Sequence, residues 1–349
     1  MQLVVRVDAL KTKYGAESRK LMRVVETVGS VCDVSGLSAQ QIRKRISKLP
    51  ASEAVCLIGG YDIVPTFRRK NPTSHLDGDD DGPIPTDAPY GAAPGVIEEE
   101  YAPGRAISRI PDSVNKSAST FLKLLKSQQF MPQTRTPSGC FEQAANEFSG
   151  AAGYVHQFVA AQSLAVSLSP PSLTARPDPV PLISGRGRVH ILLHGANYSP
   201  DWASLFGRSA SAPRDDYPVA LTTAQIGRCD LAGSVVTFSS CYAAMLDGRG
   251  GRTFSNQVAL ACLHQGAKIV IGATRSNWIE TRAPYDGLGP GLVAAFWKEF
   301  SAGGTAGNAF VQAKANFLKT ELSRDPSNHP YLFKTVLQMH LYGNPEVTL

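Results

Sequence analysis

The chain has no cysteine pairs at metal-binding spacing. Its six thiols are scattered at positions 32, 56, 140, 229, 241 and 262, so the sequence contains no zinc ribbon or finger. No apolar run approaches the ~20 residues that a membrane-spanning helix needs. The opening residues, Met1 to Asp8, have no basic stretch leading into a secretory apolar core. Together these absences predict a protein of the cytoplasm with no membrane association. There is no Gly-x-x-x-x-Gly-Lys loop to cradle a nucleotide and no Gly-x-Ser-x-Gly elbow to present a serine. The net charge of +6 is spread along the chain without a dense Lys/Arg block, so nucleic acid is not an expected partner. What remains is a chain of 349 residues, 43% hydrophobic and 18% charged, long enough for one large α/β unit or two domains.

Hydrophobic periodicity sets out its organisation. Helix-like spacing covers 17–29 and 39–48, with Ser38 placed to cap the second. A strand at 54–58 enters a long Pro-, Gly- and Asp-rich stretch, 59–100, and a helix follows near 114–126. The polar segment 127–139, with Pro132 and Pro137, marks a boundary between an N-terminal α/β subdomain, 1–135, and a second one, 136–349. The second half reads as a helix near 150–165, two apolar strands, a helix near 252–264, a strand at 268–272, and helices near 291–300 and 305–322. Strands alternating with helices predict a mostly parallel sheet covered on both faces.

Two of those strands end in reactive residues. Val189-His190-Ile191-Leu192-Leu193 runs into His194-Gly195, and Val235-Val236-Thr237-Phe238 runs into Ser239-Ser240-Cys241. Open α/β sheets bind ligands at the carboxyl ends of their strands, and adjacent strands would bring His194 and Cys241 together across 47 residues. A thiol beside a base is a nucleophile, and the amides of Gly195 and Cys241 are candidate oxyanion donors. His190, within the strand rather than at its end, reads as structural.

The pattern of an apolar run into His-Gly, then an apolar run into small-small-Cys, resembles the caspase-like cysteine peptidases, and among them the gingipain family most. Val55-Cys56-Leu57-Ile58-Gly59-Gly60 with Ile63-Val64-Pro65, Thr86-Asp87-Ala88-Pro89-Tyr90-Gly91, Ile107-Ser108-Arg109-Ile110-Pro111 and Leu341-Tyr342-Gly343-Asn344-Pro345 resemble family segments in the family's order. The resemblance implies a three-layer α/β/α caspase-like fold of two α/β subdomains. It also implies an acid acting on the histidine, for which Glu142 and Glu147 are both open. Trp278 stands where the family has an aromatic wall of the substrate pocket. The acid found in arginine-specific relatives is missing from Phe148-Ser149-Gly150-Ala151-Ala152-Gly153. Arg275 and Arg282, flanking Trp278, are therefore expected to receive an acidic side chain, since guanidinium matches carboxylate in a fork. Should basic substrate residues be preferred instead, Asp230 or Glu280 would be the carboxylates to examine.

Asp77-Gly78-Asp79-Asp80-Asp81-Gly82 has the alternating carboxylates of a Ca²⁺ loop, with Asp77, Asp79 and Asp81 as ligands. The twelfth position is Ala88, which excludes a complete helix-loop-helix calcium hand. The expected protein is thus a cysteine endopeptidase acting on a protein or peptide through Cys241 and His194. It requires no organic cofactor, has Ca²⁺ as a possible addition, and leaves room for a regulatory protein partner. The alternatives are a caspase-fold scaffold with an idle dyad, and a non-peptide amidase.

Overall fold

The computed structural model describes residues 1–76, 79, 81–92, 100–112, 117–129, 137–160, 165–171, 178–196, 204–213, 216–247, 256–324 and 326–349. Its frame is a ten-stranded sheet made of β1 (Gln2–Val5), β2 (Ser30–Asp33), β3 (Val55–Ile58), β4 (Ile107–Ile110), β5 (Cys140–Ala145), β6 (Ser167–Ser169), β7 (Arg188–Leu192), β8 (Val235–Phe238), β9 (Ile269–Ala273) and β10 (Met339–Gly343). The spatial order is β2-β1-β3-β4-β10-β9-β8-β7-β5-β6. Every neighbouring pair is parallel except β9 and β10, which run antiparallel. The sheet is therefore two parallel blocks of opposite direction, joined at one seam. The C-terminal strand β10 lies in the block built otherwise from the first 110 residues. The proposed boundary at 135 falls at 130–136, outside the described residues.

The central strands are apolar on both faces because helices cover both. Along β8 and β9, Val236, Phe238 and Val270 enter one core cluster, while Val235, Ile269, Ile271 and Ala273 enter another. That alternation is the period of two that a strand imposes on its side chains. One cluster includes residues of the helices Ser18–Val28, Ala118–Ser127 and Val258–His264. The other is built on Leu288–Ser301 and Ala306–Glu321, with Trp297 and Phe296 fully buried. The result is the three-layer α/β/α arrangement expected from the sequence.

Local chemistry fixes the helix ends. Ser38 accepts from the Gln41 amide and Gln41 reaches back to Ser38, a capping box that starts the helix Ala39–Ile46. Ser117 caps Ala118–Ser127 by accepting from Thr120 N–H. The helix expected at 150–165 is Ser149–Val159, and the one expected at 252–264 is Val258–His264. Both expectations overran: Ala160 is extended and ends the first helix, and Gln257, also extended, caps the second, which therefore starts only at Val258.

The scattered N-terminal segments converge on one buried guanidinium. Arg109 on β4 grips Asp87 through two bonds of 2.8 Å, and its third arm donates to the carbonyls of Gly59, Gly60 and Val64. Arg109 is fully buried. Burial works against the Asp87 charge, but Arg109 outweighs it and holds the carboxyl below its ordinary range. Removing either partner would strand a buried charge, at a cost of about 3–5 kcal/mol. The segments around Gly59, Asp87 and Arg109 are thus parts of one structural node.

Candidate active site

The register of β7 against β8 builds the site. Thr237 lies opposite His190 and Phe238 opposite Ile191, a constant offset of 47 residues. The same offset of 47 separates His194 from Cys241, each three residues past the last paired position. Hydrogen bonds hold the two strand ends together beyond the sheet. Ser239 N–H donates to Ile191 O at 2.9 Å, and Leu193 N–H donates to Ser240 Oγ at 3.1 Å. Only a residue without a side chain fits next. A Cβ on Gly195 would stand 2.0 Å from the Cys241 carbonyl oxygen.

His194 is held on three sides. Its Nε2 meets Glu147 Oε1 at 2.5 Å, and Glu147 Oε2 is in turn paired with Arg208. A carboxylate only accepts, so Nε2 carries the proton and Nδ1 is left with its lone pair. The imidazole lies between Phe148, with ring centres 4.7 Å apart, and the edge-on ring of Tyr217, at 4.9 Å. Of the two acids left open by the sequence, Glu147 is the one on His194. Glu142, on β5, pairs instead with His156 Nδ1 at 2.5 Å. Glu147 lies in the short turn Asn146–Phe148 just past the end of β5, so it also sits at the carboxyl end of a strand.

Cys241 is the one cysteine of the six that is not fully buried. Asn277 N–H donates to its sulfur at 3.2 Å. Burial pushes the thiol up, and the amides of Asn277 and Gly195 pull it back. For His194, burial pushes the imidazole down against the pull of Glu147, and the nearby Arg208 adds to the lowering. Both shifts favour an uncharged thiol and an uncharged imidazole in the resting protein.

The backbone turns sharply after the cysteine. Tyr242 has φ of 55°, a left-handed conformation that is uncommon for a residue with a side chain. Its hydroxyl is anchored to Asp81 Oδ1 and Ser276 Oγ, each at 2.8 Å. Asp81 Oδ2 also accepts from Ser276 N–H at 2.8 Å and from Lys334 Nζ at 2.8 Å. The same ammonium, on the helix His329–Gln338, is 2.5 Å from Asp79 Oδ2. Asp79 is held below the usual carboxylate range because Lys334 and Thr73 outweigh the effect of burial.

The Ca²⁺ expectation can be set against this geometry. Asp79 and Asp81 converge on a positive charge, but the charge is a buried lysine of the same chain. Asp77 lies outside the described residues. Among the described residues no group of three or more His, Cys, Asp or Glu side chains is arranged to hold a metal.

The loop after β9 lies beside Cys241. Asn277 touches the sulfur, its side-chain amide donates to Ser239 O at 2.8 Å, and Trp278 follows directly. Trp278 packs edge-on against Tyr331 at 5.1 Å, and its indole N–H is buried with no partner among the described residues. Arg275 departs from the expectation of an open acid receptor. Its fork is occupied by Asp247, with two bonds of 3.0 Å, and by the carbonyls of Pro83 and Thr274. Arg282 is exposed on the same loop. Asp230 lies elsewhere, receiving Ala232 N–H in a turn before β8, whereas Glu280 stays in the Trp278 loop and accepts from Gly287 N–H at 3.1 Å.

His190 points to the opposite face of the sheet from its strand neighbours. Its Nδ1 is 3.1 Å from Thr237 Oγ1, and burial depresses it to about 3. Several site residues carry no sequence signal. Arg208, Tyr217, Asn277 and Lys334 are reached only through long-range packing. Glu147 had one signal, its place just after a strand.

No family model matches the sequence, and no curated protein matches it. Solved structures do match its fold. The Arg-specific cysteine proteinase gingipain R aligns over 100% of this chain and 78% of its own, at TM-score 0.62 and 10% identity. A structure described only as a protease aligns over the same shares at TM-score 0.62 and 16% identity. The complex of the pro- and mature domains of Porphyromonas gingivalis RgpB aligns over 100% of this chain and 79% of its own, at TM-score 0.59 and 12% identity. Among the described residues no helix is long and apolar enough to cross a membrane. At these identities the likeness is one of architecture, and the chain has the caspase-like α/β fold of gingipain R.

Proposed function

We propose that this chain is a cysteine endopeptidase in which Cys241, His194 and Glu147 act in series. The observation that carries the reading is a half-buried thiol whose backbone packs against Gly195, the residue next to an imidazole already oriented by a carboxylate. His194 Nδ1 accepts the thiol proton as sulfur attacks the scissile carbonyl. Glu147 holds the required tautomer and stabilises the imidazolium that forms. The Gly195 and Cys241 amides hold the oxyanion. Collapse of the tetrahedral intermediate breaks the C–N bond, and His194 returns its proton to the leaving amine. Water, deprotonated by the same imidazole, then releases the acyl group and restores the thiol.

Trp278 follows the residue that touches the sulfur, which makes it the apolar wall of the pocket for the residue before the cut. With Arg275 engaged by Asp247, an acidic preference would rest on Arg282 alone. Glu280, on the same loop, favours a basic residue. Since gingipain RgpB is known in complex with its pro-domain, a protein that occludes this cleft is a reasonable regulatory partner. The test is incubation with a random peptide library, followed by sequencing of the products. Cleavage that disappears in Cys241→Ala supports the reading, and an intact library under conditions where the protein is folded counts against it.

A further inference from the structure

Four side chains around the catalytic histidine close into a ring. His194 Nε2 bonds Glu147 Oε1, Glu147 Oε2 pairs with Arg208 Nη1, the Arg208 guanidinium lies 5.4 Å over the Tyr217 ring, and Tyr217 packs edge-on against His194 at 4.9 Å. The backbone reinforces one side of this ring. Glu147 N–H donates to Arg208 O at 3.1 Å, and Arg208 N–H donates to Ser169 O at 3.1 Å. Arg208 and Tyr217 thus stand on the segment between Ser204–Phe206 and Val219–Thr222, two strands of a small antiparallel sheet that begins with His194–Gly195 itself.

We infer that Arg208 is a positioning residue for His194: it clamps the outer oxygen of Glu147 so that the inner one stays on Nε2, and Tyr217 holds both the guanidinium and the imidazole in place. The inference rests on the peptidase reading only for its consequence in turnover. A carboxylate with one oxygen on a histidine and the other unrestrained can rotate, and the imidazole would rotate with it. A guanidinium nitrogen bonded to that second oxygen removes the freedom. Misplacement by about 1 Å can cost on the order of a hundredfold in rate.

The ring also has an electrostatic consequence with a definite sign. Facing the imidazole are the negative Glu147, the positive Arg208 and the phenol of Tyr217, with the Cys241 thiol across the crevice. Arg208 opposes the pull of Glu147 toward the protonated imidazole. Taking away its charge lets Glu147 act undiminished, so the imidazole should hold its proton to higher pH. Tyr217 is 40% exposed although it touches His194.

The experiment is an NMR titration of the His194 ring in wild type, Arg208→Gln, Arg208→Met and Arg208→Lys, with the signal assigned by His194→Ala. The Glu142-paired His156 serves as a folding reference. The two neutral variants should raise the His194 midpoint by roughly half a unit or more, and Arg208→Lys should restore most of it. In active protein the neutral variants should lower kcat by about tenfold to a hundredfold with KM little changed. An unmoved His194 midpoint in a folded neutral variant overturns the inference. So does an equal shift in Arg208→Lys, or a failure of both neutral variants to keep the wild-type His156 signal, which would make Arg208 a folding residue. The titration needs no turnover. A raised midpoint in a protein that cuts nothing would uphold the ring while removing the peptidase reading.

Discussion

The amide of Asn277 donates to the sulfur of Cys241 across 3.2 Å, joining the end of one parallel strand to the loop that follows its neighbour. This contact ties Cys241 to the Trp278 loop, so in the proposed peptidase the thiol and the substrate pocket share a backbone segment. Substituting Trp278 by Ala should therefore lower kcat/KM on all cleaved peptides, with loss of packing against Tyr331. A variant that keeps wild-type kcat/KM on its best peptides, with selectivity alone changed, would detach the loop from Cys241.

Glu147 and Glu142 are separated by five residues and have different partners. Glu147→Gln should reduce kcat on the order of 10²–10⁴-fold by weakening control of the His194 tautomer. Glu142→Gln should leave kcat within a fewfold, since its histidine partner is remote from the thiol's strand end. Steady-state kinetics on the two variants checks the assignment, and equal losses would contradict it.

Gly195 is pressed against the carbonyl of Cys241, where an added Cβ would come within 2.0 Å. Gly195→Ala must move one of the two strand ends, and with it the oxyanion donors. A loss of kcat of about 10²–10³-fold is expected, the scale of one lost donor. The structure of the variant should show the His194 and Cys241 loops spread apart. Full activity would mean that these amides do not hold the oxyanion.

Lys334 is fully buried between Asp79 and Asp81. Lys334→Met leaves two carboxylates without their cation and should cost about 3–5 kcal/mol, read as a lower urea midpoint. Because the ammonium already occupies the space between the two carboxylates, added Ca²⁺ should leave the wild-type midpoint unchanged. A midpoint raised by Ca²⁺ and lowered again by chelation would restore the calcium loop.

Buried neutral histidines set the acid limit of stability. Burial holds His190 at about 3 and His340 at about 4, both below the ordinary 6.5. Between those values the unfolded chain binds protons that the folded one refuses. Stability therefore falls as pH drops from about 6.5 toward 4 and is regained as pH rises. Urea midpoints across that window should show the slope, and His190→Asn should flatten it. An unchanged slope in that variant would show that His190 is not the group responsible.

The sequence disclosed those features that depend on one strand at a time. The runs at 189–193 and 235–238 are apolar because both faces of the sheet are covered, and their ends fall at His194 and Cys241 for that same reason. The capped helix after Ser38 was legible from its cap. β1 and β10 were not legible as strands. β10 contains His340 inside a short run and follows a helix without a turn signal, and β1 is four residues long. The acid could be narrowed to two candidates but not chosen, because Glu142 lies within β5 and Glu147 just beyond it, and only the tertiary fold decides which meets His194. The pairing of Arg275 is not legible because its carboxylate, Asp247, lies 28 residues away in the loop after Cys241. Charge pairing at that range leaves no periodic trace.

The most direct test of the account is covalent. The protein should be treated with a thiol-directed peptide electrophile and the adducts located by mass spectrometry of the digested chain. Five thiols are buried, and burial raises Cys229 to about 11 and Cys56 to about 12, whereas Cys241 is partly exposed between two amides and beside an imidazole. The account predicts one adduct, on Cys241, formed in the folded protein and lost or strongly slowed in His194→Ala. Labelling spread among the other cysteines, or a Cys241 adduct indifferent to His194, would contradict it.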